Sequence, residues 1–187
     1  MITSSVVREG GADYYALRPM TTPAIAIDDA SEGDLEGILA IFNDVIATST
    51  SVFSEEPVAL ENRRAWFADR NARGFPVLVV RDEAGVAGFG SFGDFRAWPG
   101  YRFTVEHTVH VRADRRGHGI GTTLIEALVE RARSRGVHTM IAGVDAQNEG
   151  SRRLHERLGF VECARIPQVG FKWDQWLDLV FLARILS

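Results

Sequence analysis

The chain has 187 residues, 45% hydrophobic and 25% charged, with a formal net charge of −4. That length is one domain's worth and buries about 70% of its extended surface, enough for a core without staples. The composition excludes wholesale disorder, and the acidic balance excludes a general nucleic-acid binder.

Residues 1–23 carry no sustained period and read as an N-terminal extension with no assigned chemistry. The periodic part, residues 24–187, reads as one α/β domain. It opens with AIAI (24–27), a short strand run. Ser31 and Asp34 make a capping box, after which Leu35, Ile38, Leu39, Phe42, Val45 and Ile46 recur at helical spacing to about Thr48. A polar loop (49–57) leads to a helix over 58–73 that carries Trp66 and Phe67. PVLVV (76–80) reads as a buried strand, and the turn DEAG connects it to VAGFGSFG (86–93). An aromatic loop (94–102) precedes the long strand FTVEHTVHV (103–111), and the glycine cluster 117–121 opens a helix to about Arg135. HTMIAGV (138–144) is a strand, 148–158 a short helix and FVECARI (160–166) a strand; after a loop, WLDLVFLARIL (176–186) closes the chain.

A single cysteine, Cys163, excludes an internal disulfide and a cysteine metal cluster and suits a reducing compartment. No apolar run approaches the ~20 residues of a membrane helix, and no basic start leads into an apolar leader. The expectation is a cytoplasmic protein with no membrane and no nucleic-acid partner. Lys172 is the only lysine among the 21 basic residues.

The most informative stretch is RRGHGIG (115–121), where a strand gives way to a helix. Alternating glycines let the backbone approach a ligand, and a helix start adds unbonded amides and the positive dipole end, together a phosphate site. A plain helix-starting turn is the bland reading. A dinucleotide fingerprint needs its third glycine elsewhere, and a nucleoside-triphosphate loop needs a G-K-[ST] ending. A coenzyme A pyrophosphate loop fits best: Arg116, Gly119 and Gly121 match its pattern, with Gly117, His118 and Ile120 between them.

The strand ahead of it alternates Glu106, Thr108 and His110 on one face with His107, Val109 and Val111 on the other. A carboxylate in the middle of an apolar strand is costly unless it is paired, wet or functional. From the residues alone, Glu106 is as readily a salt-bridged structural group as a base. EHTVH suggests a metal site only superficially, because His107 and His110 diverge across a strand; no metal is expected.

From Ala24 onward the sequence resembles the GCN5-related N-acetyltransferase (GNAT) superfamily, and within it the phosphinothricin and methionine sulfoximine acetyltransferases. GDFRAW (93–98), FTVEHTVHV (103–111), RRGHGIG (115–121), NEGSRRLHERLGF (148–160) and PQVGFKWDQWLDL (167–179) carry the likeness. The resemblance implies a mixed, mostly antiparallel central sheet flanked by about four helices, acetyl-CoA as co-substrate and a homodimer. It implies Glu106 as general base and His155 as acid toward the departing thiolate, a histidine the helix also accommodates as a mere neighbour of the coenzyme. It places Asn148, an N-cap candidate, along the coenzyme arm, with Val109, His110 and Val111 beside it. His110 stands where relatives carry tyrosine.

Phe95, Trp98, Tyr101 and Phe103 interleave with Arg96 and Arg102. Such a loop either caps the core or grips a small anionic group with a guanidinium fork on an apolar wall. The resemblance implies that Arg96, Ala97 and Trp98, with Glu106, His107 and Thr108, meet the substrate, an amino acid bearing a phosphinate, sulfoximine or sulfone. Phe53, where relatives often carry tryptophan, and Lys172 complete that set. Acetylation of a protein N-terminus, which needs an open groove, and a catalytically idle acyl-CoA sensor are the competing readings.

Overall fold

The computed structural model describes residues 25–186. The extension call at 1–23, Ala24 and Ser187 lie outside the described residues. The elements run β1 (Asp28–Asp29), α1 (Leu35–Thr48), α2 (Leu60–Ala72), β2 (Val77–Asp82), β3 (Gly85–Asp94), β4 (Thr104–Val111), α3 (Ile120–Ser134), β5 (Thr139–Asp145), α4 (Glu149–Arg157), β6 (Val161–Lys172) and β7 (Gln175–Ile185).

The seven strands form one sheet in the order β1-β2-β3-β4-β5-β7-β6. Every pairing is antiparallel except β4 with β5. The run PVLVV behaves as a strand buried on both faces. Leu78 and Val80 join α3 in one cluster, with Leu124, Ile125 and Leu128. Val77 and Val79 join α1 and α2 in the other, with Leu35, Ile38 and Phe67. Ser31 and Asp34 form the expected box, with the Ser31 amide donating to Asp34 Oδ2 at 2.7 Å.

Two elements differ from the sequence reading. The apolar run at 25–27 is not a strand; only Asp28–Asp29 pair with β2, while Ile25 and Ile27 tuck onto the α3 cluster. Their side chains enter the core, whereas their backbone groups stay out of the ladder.

Residues 167–175, read as a loop, belong instead to a long β6–β7 hairpin. Its two-residue turn is Trp173-Asp174, with φ of 49° and 58°. Such turns normally announce themselves as Asn-Gly or Asp-Gly. Here a tertiary partner holds the tip, since the Trp173 amide donates to Glu55 Oε1 at 2.7 Å, while its ring lies 4.5 Å from Nζ of the adjacent Lys172. The ladder shifts register between Ile166 and Gly170, and the Gln168 amide donates to Asp178 there.

Candidate active site

The sheet splits in its middle. β4 and β5 pair only over Thr104–Glu106 and Thr139–Ile141, yet β4 runs on to Val111 against β3 and β5 to Asp145 against β7. The V between them is a cleft of about 720 Å³, lined by His107 through Val111, the glycine cluster, Gly143 and residues of α4. Backbone direction follows from alternation. The Arg112 amide donates to Ala87 O on β3, whereas Phe103 O faces β5 and accepts from His138 and Thr139. Even-numbered residues of β4 therefore turn their backbone groups to β3, and odd-numbered Val109 and Val111 turn theirs into the cleft.

At the open end, Gly117 and Gly119 adopt φ of 79° and 86°, a left-handed geometry that a side chain would strain. They bend the chain so that α3 starts pointing at the cleft. Its first bonded amide is that of Thr123, on Gly119 O, and its first turn holds no acidic residue. Among the described residues, the amides at 117–122 ahead of it meet no backbone acceptor, and they lie at the positive end of a helix. Arg116 donates to Val111 O at 3.2 Å and lies 3.7 Å from Asp44, so it remains at the rim. Arg115 is committed instead to Asp82, which also holds Arg112, and this network fixes the loop. His118 is exposed, its Nδ1 2.9 Å from Arg116 O.

Glu106 is half-buried where the two strands part. Burial pushes its carboxyl above the ordinary range, and the Arg96 guanidinium pulls it back in part. Arg96 stacks on Phe95, 4.4 Å from the ring centroid. The aromatic loop thus brings a cation within electrostatic reach of Glu106. Thr108, one pleat further along the same face, is exposed although it lies in a central strand. Ala97 and Trp98 stand out in solvent, Trp98 with 75% of its surface exposed, so neither lines the cleft of this chain.

The two histidines of β4 separate as alternation requires. His110 lies on the α1 face between Phe42 and Phe89, and burial lowers it to about 4. His107 lies on the opposite face, lowered to about 3 by burial and by its neighbour His155. That neighbour was not visible in the sequence: His107 Nε2 and His155 Nε2 are 3.2 Å apart, with both rings packed on Phe160. His155 Nδ1 is 2.7 Å from Ser151 O, a carbonyl, so Nδ1 carries the proton. In the neutral pair His155 Nε2 then accepts from His107. Both nitrogens of His155 are engaged, which removes it as a free-standing acid and makes the pair the unit. Among the described residues, no group of three or more His, Cys, Asp or Glu side chains could hold a metal ion.

Lys172 requires a correction. It is 0% exposed, and its Nζ donates to Ile46 O, Ser49 O and Val52 O at 2.6, 2.7 and 2.9 Å. All three protons are used on the carbonyls that end α1 and begin the following loop, leaving none for a substrate. Phe53, held in that loop, packs on Gly170, where a Cβ would collide with its ring. The same loop is fastened across the cleft. Thr50 bonds to the buried Asp145, and Asn148 donates to Ser51 Oγ while its Oδ1 caps α4 at Ser151. Asn148 is thus an N-cap and a tie, and it also lines the cleft.

With this geometry in hand, comparison with known proteins is informative. The model of the acetyltransferase (GNAT) family matches residues 38–160. An L-methionine sulfoximine/L-methionine sulfone acetyltransferase of Pseudomonas aeruginosa is 50% identical over 84% of this chain and 92% of its own length. The structure of a ribosomal-protein-alanine N-acetyltransferase of Brucella melitensis is 45% identical, with a TM-score of 0.84 over 86% of this chain and 99% of that one. That of yncA from Salmonella typhimurium, solved with acetyl-CoA as its cofactor, is 40% identical, with a TM-score of 0.85 over 87% and 94%. A split sheet with a glycine cradle at its mouth and this degree of likeness lead to one statement: the chain belongs to the GNAT family of acetyltransferases.

Proposed function

We propose that the chain transfers the acetyl group of acetyl-CoA to the α-amine of a small amino acid whose side chain carries acidic or strongly polar oxygens, of the methionine sulfone, methionine sulfoximine or phosphinothricin type. The observation that carries this reading is the parting of β4 from β5, with a phosphate cradle at one end and Glu106 beside Arg96 at the other. The pyrophosphate fits the amides of 117–121 with Arg116 at the rim, and the pantetheine amides fit the backbone groups of Val109 and the Val111 amide as an added strand, the Val111 carbonyl being held by Arg116. Glu106, its basicity raised by burial, takes the ammonium proton, directly or through a water. The freed amine attacks the thioester carbon, the C–S bond breaks, and the thiolate takes up a proton. Arg96 forks onto the side-chain oxygens of the substrate.

The domain is residues 24–187, and we take the protein to be a cytoplasmic homodimer. The edge strand β6 supports dimerisation, with Val161, Ile166, Val169 and Phe171 exposed beside Trp176. The free, exposed Cys163 suits a reducing compartment.

The likeness to a ribosomal-protein-alanine acetyltransferase makes a polypeptide N-terminus the second reading. A thiol-release assay with acetyl-CoA separates the two. Turnover of free methionine sulfone, methionine sulfoximine or phosphinothricin is expected, with little on an alanine-starting peptide. The reverse ranking would reverse the assignment.

A further inference from the structure

We propose that Gly143 is a positioning residue: the space left by its missing side chain is the seat of the Glu106 carboxylate, so that a methyl group there displaces the carboxylate while leaving the fold intact. This rests on the reading of Glu106 as the base. A Cβ built on Gly143 would lie 2.8 Å from Glu106 Oε1, a separation that real Cβ atoms do not tolerate. Its next neighbours, Phe181 Cε1 and Leu179 Cδ1, are at 3.6 and 3.7 Å, ordinary contact distances. Among the described residues, the carboxylate is therefore the one obstacle to a methyl group at this position.

Nor does the backbone need a glycine. Gly143 pairs regularly with Phe181 in the β5–β7 ladder, and its φ is not in the left-handed region. A glycine inside a strand weakens it and often marks a close approach of something else. What approaches here is Glu106. It is the last residue of β4 to pair with β5, opposite Ile141, and its side chain leans across the opening V onto Gly143, two residues further along β5. Among the described residues, the one charged group that acts on it is Arg96. Its position thus depends on this backbone contact more than on any bonded partner.

A methyl at 143 would push the carboxylate away by about half an ångström or more to restore van der Waals contact. Displacement on the ångström scale from a reacting geometry lowers rate by up to about 10²-fold. The far end of a glutamate side chain yields easily, so the fold should lose nothing.

The test is a cycle of Gly143→Ala, Glu106→Gln and the double variant. Gly143→Ala is expected to lower kcat about 10- to 100-fold. Its KM for acetyl-CoA should stay within about twofold, its Tm at or above the parent's, and the acid limb of its kcat profile should move. In the Glu106→Gln background the same change should reduce turnover no further, since the carboxylate it displaces is gone. Parent-like kcat and pH profile in Gly143→Ala would overturn the proposal. So would a clear fall in Tm, which would give the glycine a structural reason, or a further tenfold loss in the double variant. Parent turnover in Glu106→Gln alone would overturn the base assignment itself, and it is read before any 143 variant is compared.

Discussion

Replacing Lys172 by methionine tests the most consequential correction that the fold makes. Methionine keeps the length and apolar stem of the side chain and removes only the ammonium. Ile46 O, Ser49 O and Val52 O then lose donors now at 2.6 to 2.9 Å, in a site with no exposure to water. A buried carbonyl left without a donor costs about 1–3 kcal/mol. Ile46 O is also one of the last carbonyls of α1, where a cation is favoured by the helix dipole. Against this, removing a buried charge recovers its desolvation, so the net loss is about 3–5 kcal/mol rather than the full sum. For a chain of this size that lowers Tm by roughly 10 °C. Urea unfolding followed by circular dichroism measures it, with Lys172→Arg as a partial replacement. A variant within about 1 kcal/mol of the parent, combined with a raised KM for the amino acid, would refute the reasoning and return the ammonium to the substrate.

Glu106→Gln should lose about 10²-fold or more in turnover, as removal of a general base does, with acetyl-CoA affinity by calorimetry nearly unchanged. Because its carboxyl is raised, parent activity should fall with acidification at a higher pH than an ordinary carboxylate would give. Gly119→Asp should weaken acetyl-CoA binding at least tenfold, since a β-carbon at φ 86° and a like charge both enter the cradle. Arg96→Ala should raise KM for the amino acid and leave that for acetyl-CoA alone; lysine there should rescue only partly. His107 and His110, lowered from 6.5 to about 3 and about 4, favour the neutral, folded form. Their contribution is complete above pH 6.5 and is lost as pH falls toward those values. By pH 5 each should remove about 2 kcal/mol of stability. A flat stability between pH 7 and 5 would contradict the burial of both rings.

Much of this protein was legible in its residue order because local chemistry dictates it. The period of α1, the two-faced burial of β2, the alternation along β4 and the turn glycines at 117 and 119 each follow from residues a few positions apart. The GNAT resemblance rested on such local blocks, and the order of the sheet agrees with it. Tertiary structure alone decided the rest. His107 meets His155 across 48 residues, and no periodicity links a strand to a later helix. Lys172 reads as a substrate contact until three carbonyls from α1 and its following loop are brought around it. The Trp173-Asp174 turn lacks the glycine that announces such turns and depends on Glu55, more than a hundred residues earlier. The seat at Gly143 exists only because two parallel strands part after three residue pairs. A sequence pattern reports which face a side chain takes along its own element; what lies opposite that face is set by how the elements pack.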